Sequence, residues 1–149
     1  MPPDHPALSE RDVLDHGGWH PRYARVLAVA SDDGYGFAVV DGNGDGAELE
    51  AETWVWENGM WTAAGSSGAG PLDELGPVQT GGQVGDAYFA YGGAPGRQSV
   101  TIEFDGYRHQ IPVSSHGVWA FIRVRTDPEG FGFPAPAAGQ EGGASARPG

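Results

Sequence analysis

The chain has no cysteine and no lysine. Without thiols there can be no disulfide staple, no thiolate nucleophile and no Cys-type zinc site, so the fold must stand on packing alone. Without lysine there is no Schiff base and no lysine general base. Positive charge is scarce altogether: eight basic residues, all arginines, face twenty Asp and Glu, for a net charge of −12. Binding to nucleic acid or anionic membrane depends on cations that neutralise phosphates, so neither is expected as a partner. A protein with a basic surface is. Long apolar runs are also missing; none approaches the roughly 20 residues needed to span a bilayer. Met1 to Asp15 has neither the basic n-region nor the apolar h-region of an export signal, so the chain reads as cytoplasmic.

What the sequence does have is glycine, proline and aromatic residues. Among 149 residues there are 26 glycines, 12 prolines, five tryptophans, five tyrosines and six phenylalanines. That length suits one core. The glycine and proline content favours short strands joined by turns over long helices, and each aromatic side chain can bury on the order of 150–250 Å² as an anchor.

Three segments follow. Residues 1–21 form an N-terminal arm in which Ser9, followed three residues later by Asp12, resembles a helix N-cap; Gly17-Gly18 would end that single turn. Residues 22–126 alternate with a period of two, and residues 127–149 form a Pro/Gly/Ala-rich tail expected to be disordered beyond about Pro134. Within the central segment Tyr23–Ala30 stops at Asp32-Asp33-Gly34 and pairs with Tyr35–Val40. Asn58-Gly59 and Asp105-Gly106 mark two further hairpins. A glycine-rich connection, Gly65 to Gly85, reads as a crossover between sheets.

About eight strands with a turn signal every eight to twelve residues predict an all-β fold, an immunoglobulin-like β-sandwich with disordered N- and C-terminal tails, or alternatively a partly open barrel. Four stretches, Gly85-Asp-Ala-Tyr-Phe-Ala-Tyr-Gly92, Val100-Thr-Ile-Glu-Phe-Asp-Gly-Tyr107, Ile111-Pro-Val113 and Gly117-Val-Trp-Ala-Phe121, resemble the last strands of small Ig-like β-sandwich proteins of unknown function from high-GC Gram-positive bacteria. The resemblance spans about residues 85–124. Its residues are packing and turn residues, so it implies a fold and carries over no activity.

Several patterns invite chemistry. Asp41, Asn43, Asp45, Ala47 and Glu52 satisfy the spacing of a calcium-binding loop, with oxygen donors where a hard cation would need them. Against calcium, the preceding segment reads as a strand rather than a helix, and the ninth loop position is Leu49. The competing reading is a polar hairpin loop. Next, Glu48, Glu50 and Glu52 alternate with Leu49, Ala51 and Thr53, giving a strand with one acidic face. Trp54 and Trp56 share its parity, so they face solvent beside the acids unless a bulge near Thr53 turns them into the core. Trp61 sits across the same hairpin.

For metal or catalysis the signals are poor. His16 and His20 have helical ligand spacing but are separated by two glycines, and His109 lies in a strand beside Tyr107 and Ile111. Gly65-Ser66-Ser67-Gly68 misses the nucleophile-elbow spacing by one residue, and Ser114-Ser115-His116 are sequence neighbours that seldom reach catalytic geometry. The leading expectation is therefore a non-enzymatic acidic protein-binding module of the inhibitor or immunity type, without a cofactor, working through Glu48, Glu50, Glu52, Trp54, Trp56 and Trp61. The alternative is a carbohydrate-binding sandwich that uses the tryptophans as a stacking platform, with calcium in the Asp41–Glu52 loop.

Overall fold

The computed structural model describes residues 6–126 and 132–136. One helix, α1 (Glu10–His16), precedes ten strands: β1 (Arg25–Asp32), β2 (Tyr35–Asp41), β3 (Leu49–Glu57), β4 (Met60–Gly70), β5 (Gln79–Val84), β6 (Ala87–Gly93), β7 (Ser99–Phe104), β8 (Tyr107–Pro112), β9 (Val118–Val124) and β10 (Ala135–Pro136). A 3-10 turn at Leu72–Glu74 lies between β4 and β5. The chain is an all-β sandwich of antiparallel sheets, and among the described residues no sheet closes into a barrel. No helix is long and apolar enough to cross a membrane among those residues.

The first sheet is a meander in the order β1-β2-β3-β4. The second has the order β5-β6-β9 and the third β10-β7-β8. Three tight turns follow directly from sequence. Both central residues have positive φ in Asp33-Gly34 (49° and 86°), Asn58-Gly59 (55° and 79°) and Asp105-Gly106 (54° and 80°), the type I′ signature that Asn, Asp and Gly tolerate.

The sheets stack in layers. Leu27, Phe37, Val39, Leu49 and Ala51 on the first sheet's inner face meet Ala87, Tyr91, Val118, Ala120 and Ile122 of the second. Phe37 stacks on Phe89 with ring centroids 4.5 Å apart. A bulge between Val26 and Ala28 lets Leu27 and Ala28 both reach this core. The second sheet's other face, with Ala90, Trp119 and Phe121, packs on Val100, Ile102 and Phe104 of the third. β9 is thus covered on both faces, and Val118 to Ile122 is an unbroken buried run.

The stretch Gly65–Gly85 connects the first two sheets, as its length suggested, but most of it is not loop. Its first six residues complete β4, and the whole of β5 lies within it as well. Ala135–Pro136, inside the stretch read as tail, pairs with Glu103 and Ile102 of β7. The rest of that expected tail, 127–131 and 137–149, lies outside the described residues, as do residues 1–5.

The helical turn expected after Ser9 is present, with a complete capping box: Ser9 Oγ accepts the Asp12 N–H at 3.1 Å, and the Asp12 carboxylate accepts the Ser9 N–H at 3.0 Å. The arm carrying it is docked across the outer face of the first sheet. Leu8 and Val13 enter a core shared with Ala38, Val40, Trp54 and Trp61. Leu8 N–H donates to Ser31 Oγ at 3.1 Å, Trp61 Nε1 to the Pro6 carbonyl at 3.2 Å, and His16 Nδ1 lies 3.1 Å from the Trp61 carbonyl.

This approach needs a bare backbone at Gly36. A Cβ there would stand 2.6 Å from Leu8 Cδ2 and 3.3 Å from both Trp54 Cβ and Trp61 Cζ3. Gly36→Ala is expected to destabilise the fold by about 1–3 kcal/mol through overpacking. Urea denaturation measures it; an unchanged midpoint would mean that the arm does not pack as described.

Candidate functional site

The residues singled out by sequence lie mainly on the outer face of the first sheet. β3 pairs with β2 without interruption, setting Glu50 opposite Val40, Glu52 opposite Ala38 and Trp54 opposite Gly36. Side chains alternate along a strand, so Glu50, Glu52, Trp54 and Trp56 do share one face. The bulge expected near Thr53 exists, but its extra residue is Ala64 on β4: Thr53 pairs with Gly65 and Trp54 with Ala63. The parity of β3 is therefore kept. Sequence offers two outcomes, solvent exposure or a bulge that turns the rings into the core; Trp54 is buried in a core, but without any bulge in β3. The tryptophans stay beside the acids, and the arm seals that face. Trp54 is 0 % exposed and Trp61 1 %. Trp56 is half-buried, its ring edge-on to Trp61 with centroids 5.6 Å apart.

Glu52 is buried with them, at 5 % exposure. Trp19 Nε1–H, from the arm, donates to its Oε2 at 2.8 Å, and Trp54 Nε1–H donates to its Oε1 at 3.3 Å. Burial lifts the Glu52 carboxyl above its ordinary pKa of 4.5; the two indole bonds pull against that shift, and the charge of Glu50 adds to it. Trp19 reaches the carboxylate by passing close to the backbone of Gly42, where a Cβ would come within 2.8 Å of its ring. Sequence reading passed over Trp19, because nothing local connects it to Glu52.

The calcium-type loop is organised by its own first residue. Asp41 is 3 % exposed, and its two oxygens accept the N–H groups of Gly44 at 3.0 Å and Gly46 at 2.7 Å. Asp45 Oδ1 accepts the Ala47 N–H at 3.0 Å. These are the bonds of a polar turn. Asp41 is paired with the inward-facing Leu49, whereas Glu52 is on the outer face, so the structure sets the first and last residues of the motif on opposite sides of the sheet. Asn43, Asp45 and Ala47 are exposed in the loop. Among the described residues no group of three or more His, Asp or Glu converges as metal ligands would.

The remaining acids are on the surface. Leu72 N–H donates to the Gly46 carbonyl at 2.8 Å and ties the loop before β3 to the 3-10 turn after β4. Asp45, Glu48, Asp73 and Glu74, all exposed, are thereby drawn to one end of the first sheet, with Glu50 half-buried behind them and Arg25 beside Gly44. Asp73 and Glu74 lie some 25 residues from Glu48, which is why sequence reading did not group them.

The other candidates have local tasks. Ser114 Oγ accepts the His116 N–H at 3.2 Å, and Ser66 and Ser67 are exposed along β4. His20 Nδ1 accepts the Arg22 N–H at 3.2 Å. His109 sits against Phe121, with ring centroids 5.2 Å apart; burial and then Arg123 lower its pKa, against the opposing influence of the Phe104 backbone and Asp32. Compared with models of protein families, with curated proteins and with solved structures, the chain matches none.

The raised Glu52 pKa has a consequence for stability. Between the unfolded value near 4.5 and the higher folded value, the folded state holds a proton that the unfolded chain has released. Stability from this group is therefore greatest below that window and is lost as pH rises through it. Glu52→Gln keeps the shape without the charge, so its Tm relative to the natural chain should climb as pH increases above 4.5. Glu52→Ala should instead destabilise at every pH, by about 1–3 kcal/mol for each indole N–H left unpaired. Thermal melts from acid to neutral pH decide the matter; a pH-independent offset for Glu52→Gln would show that the carboxyl is not desolvated.

Proposed function

We propose that this protein is a non-enzymatic, cytoplasmic binding module that engages a basic protein partner, as an inhibitor or immunity protein does, through the acidic end of its first sheet. The contact residues in this reading are Asp45, Glu48, Asp73 and Glu74, with Glu50 behind them. The observation that carries it is the Leu72–Gly46 hydrogen bond, which gathers two acidic loops in a chain already at −12. Such a field steers a cationic partner and raises the rate of encounter. Glu52, Trp54 and Trp61 take no part in recognition here, because they are consumed in holding the arm to the sheet.

A fluorescent arginine-rich peptide serves as the probe, with its binding read by anisotropy at low and high salt. Replacing Asp45, Glu48, Asp73 and Glu74 together by their amides should weaken binding about tenfold at low salt, at a few tenths of a kcal/mol per exposed charge. Neutralising four exposed acids elsewhere, Glu10, Asp15, Glu57 and Asp86, should weaken it much less. Equal losses in the two variants would mean that only net charge matters, and salt-independent binding would remove the electrostatic basis altogether.

A further inference from the structure

A second feature lies on the opposite side of the molecule, on the third sheet. Among the described residues four large apolar side chains are notably exposed, and two of them, Tyr107 at 68 % and Phe133 at 56 %, line the same cleft of about 380 Å³. The cleft lies between the tip of the β7–β8 hairpin and the segment that adds β10 to β7, and Glu103, Gly106, Arg108 and Ala135 complete most of its wall. Its volume is at the small end of the range typical of ligand sites, roughly 300–1,000 Å³.

The cleft is rigidly built. Beneath the hairpin tip, Arg125 Nε donates to Asp105 Oδ1 at 2.8 Å, with side-chain exposures of 15 % and 5 %. The guanidinium lies over the rings of Tyr88 at 4.3 Å and Phe104 at 4.8 Å, and its Nη2 donates to the Gly132 carbonyl at 2.5 Å. Asp105 Oδ2 accepts the Thr126 N–H at 3.1 Å, and Phe133 packs edge-on to Tyr88 with centroids 5.5 Å apart. One partly buried ion pair thus links the hairpin tip, the end of β9 and the segment at 132–136.

The polar groups of the cleft have capacity to spare. Arg108 Nε donates to Glu103 Oε2 at 3.0 Å. Neither Nη of Arg108 nor Oε1 of Glu103 hydrogen-bonds another protein group among the described residues. Because the pair is already neutralised, it offers no net attraction to an anion or a cation. It does offer an acceptor and a fork of donors side by side, which suits adjacent hydroxyl groups, one donating to the carboxylate and the next accepting from the guanidinium. The exposed rings of Tyr107 and Phe133 are of the kind that packs against the C–H face of a saturated ring.

From this geometry we infer a binding site for a neutral sugar, of mono- or disaccharide size, lined by Glu103, Tyr107, Arg108 and Phe133. It is separate from the acidic end and does not rest on the reading proposed for that end. The test is saturation-transfer NMR on the full chain with methyl glucoside, methyl galactoside, N-acetylglucosamine, maltose and cellobiose at millimolar concentration, with amide shifts recorded in parallel. At least one of these sugars should take up saturation at its ring protons and move the amides of 103–108. Tyr107→Ala should weaken that binding about three- to tenfold, the worth of one aromatic contact. Tyr107→Phe should leave it nearly unchanged, and Glu103→Gln should weaken it. Tyr107 is largely exposed, so an unchanged melting curve certifies that the alanine variant is folded; a shifted one leaves Glu103→Gln as the deciding variant. Absence of saturation transfer from all five sugars overturns the inference, and so does binding indifferent to both Tyr107→Ala and Glu103→Gln.

Discussion

Glu52 stands on the outer face of the first sheet at 5 % exposure, and its two oxygens are taken by the indole N–H groups of Trp19 and Trp54. Trp19 belongs to the N-terminal arm and Trp54 to the sheet, so one carboxylate is the polar joint between the two. Desolvating a carboxyl is unfavourable, and here the indole bonds offset only part of that penalty. The compensation comes from the rings around it. Burying Trp54 and Trp61 contributes on the order of 4–6 kcal/mol each before chain entropy is counted.

This joint explains how the outer face of the first sheet comes to be covered. The inner face is covered by the second sheet, while among the described residues the outer face is covered by the segment from Pro6 to Ala24. A seven-residue helix would be marginal on its own in water. It persists because Val13 and Leu8 are inserted beside the tryptophans and because Pro6, Leu8, His16 and Trp19 each bond to the sheet. The same economy recurs at the far side, where the Arg125–Asp105 pair fixes the segment bearing β10 against the β7–β8 hairpin. In both places a chain segment outside the main hairpins is tied down by a buried or nearly buried carboxylate.

The division of labour among the acids follows. Asp41 organises a loop, Asp105 ties the β7–β8 hairpin tip to Arg125 and Thr126, Glu52 joins the arm to the sheet, and Asp32 accepts the Val124 N–H at 2.9 Å, linking β1 to β9. Of the acids that remain exposed, Asp45, Glu48, Asp73 and Glu74 are gathered at one end of the first sheet by the bond between Leu72 and Gly46. Treating the whole acidic strip of β3 as a docking face overestimates it, because alternation tells which residues share a face but not what lies against that face.

The sequence by itself determined the all-β class, the start of the short helix behind Ser9 and the hairpins at Asp33-Gly34, Asn58-Gly59 and Asp105-Gly106. Each of these rests on interactions within a few residues: a cap three positions long, or a turn that only Asn, Asp and Gly accommodate. Tertiary structure alone decided that Trp54, Trp61 and Glu52 are interior, that Asp41 and Glu52 face opposite ways, and that Asp73 joins Glu48. The bonds responsible span 33 residues from Trp19 to Glu52 and 55 from Pro6 to Trp61. Contacts at that separation leave no periodic trace, since the arm's residues show neither strand alternation nor a helix long enough to display an apolar stripe.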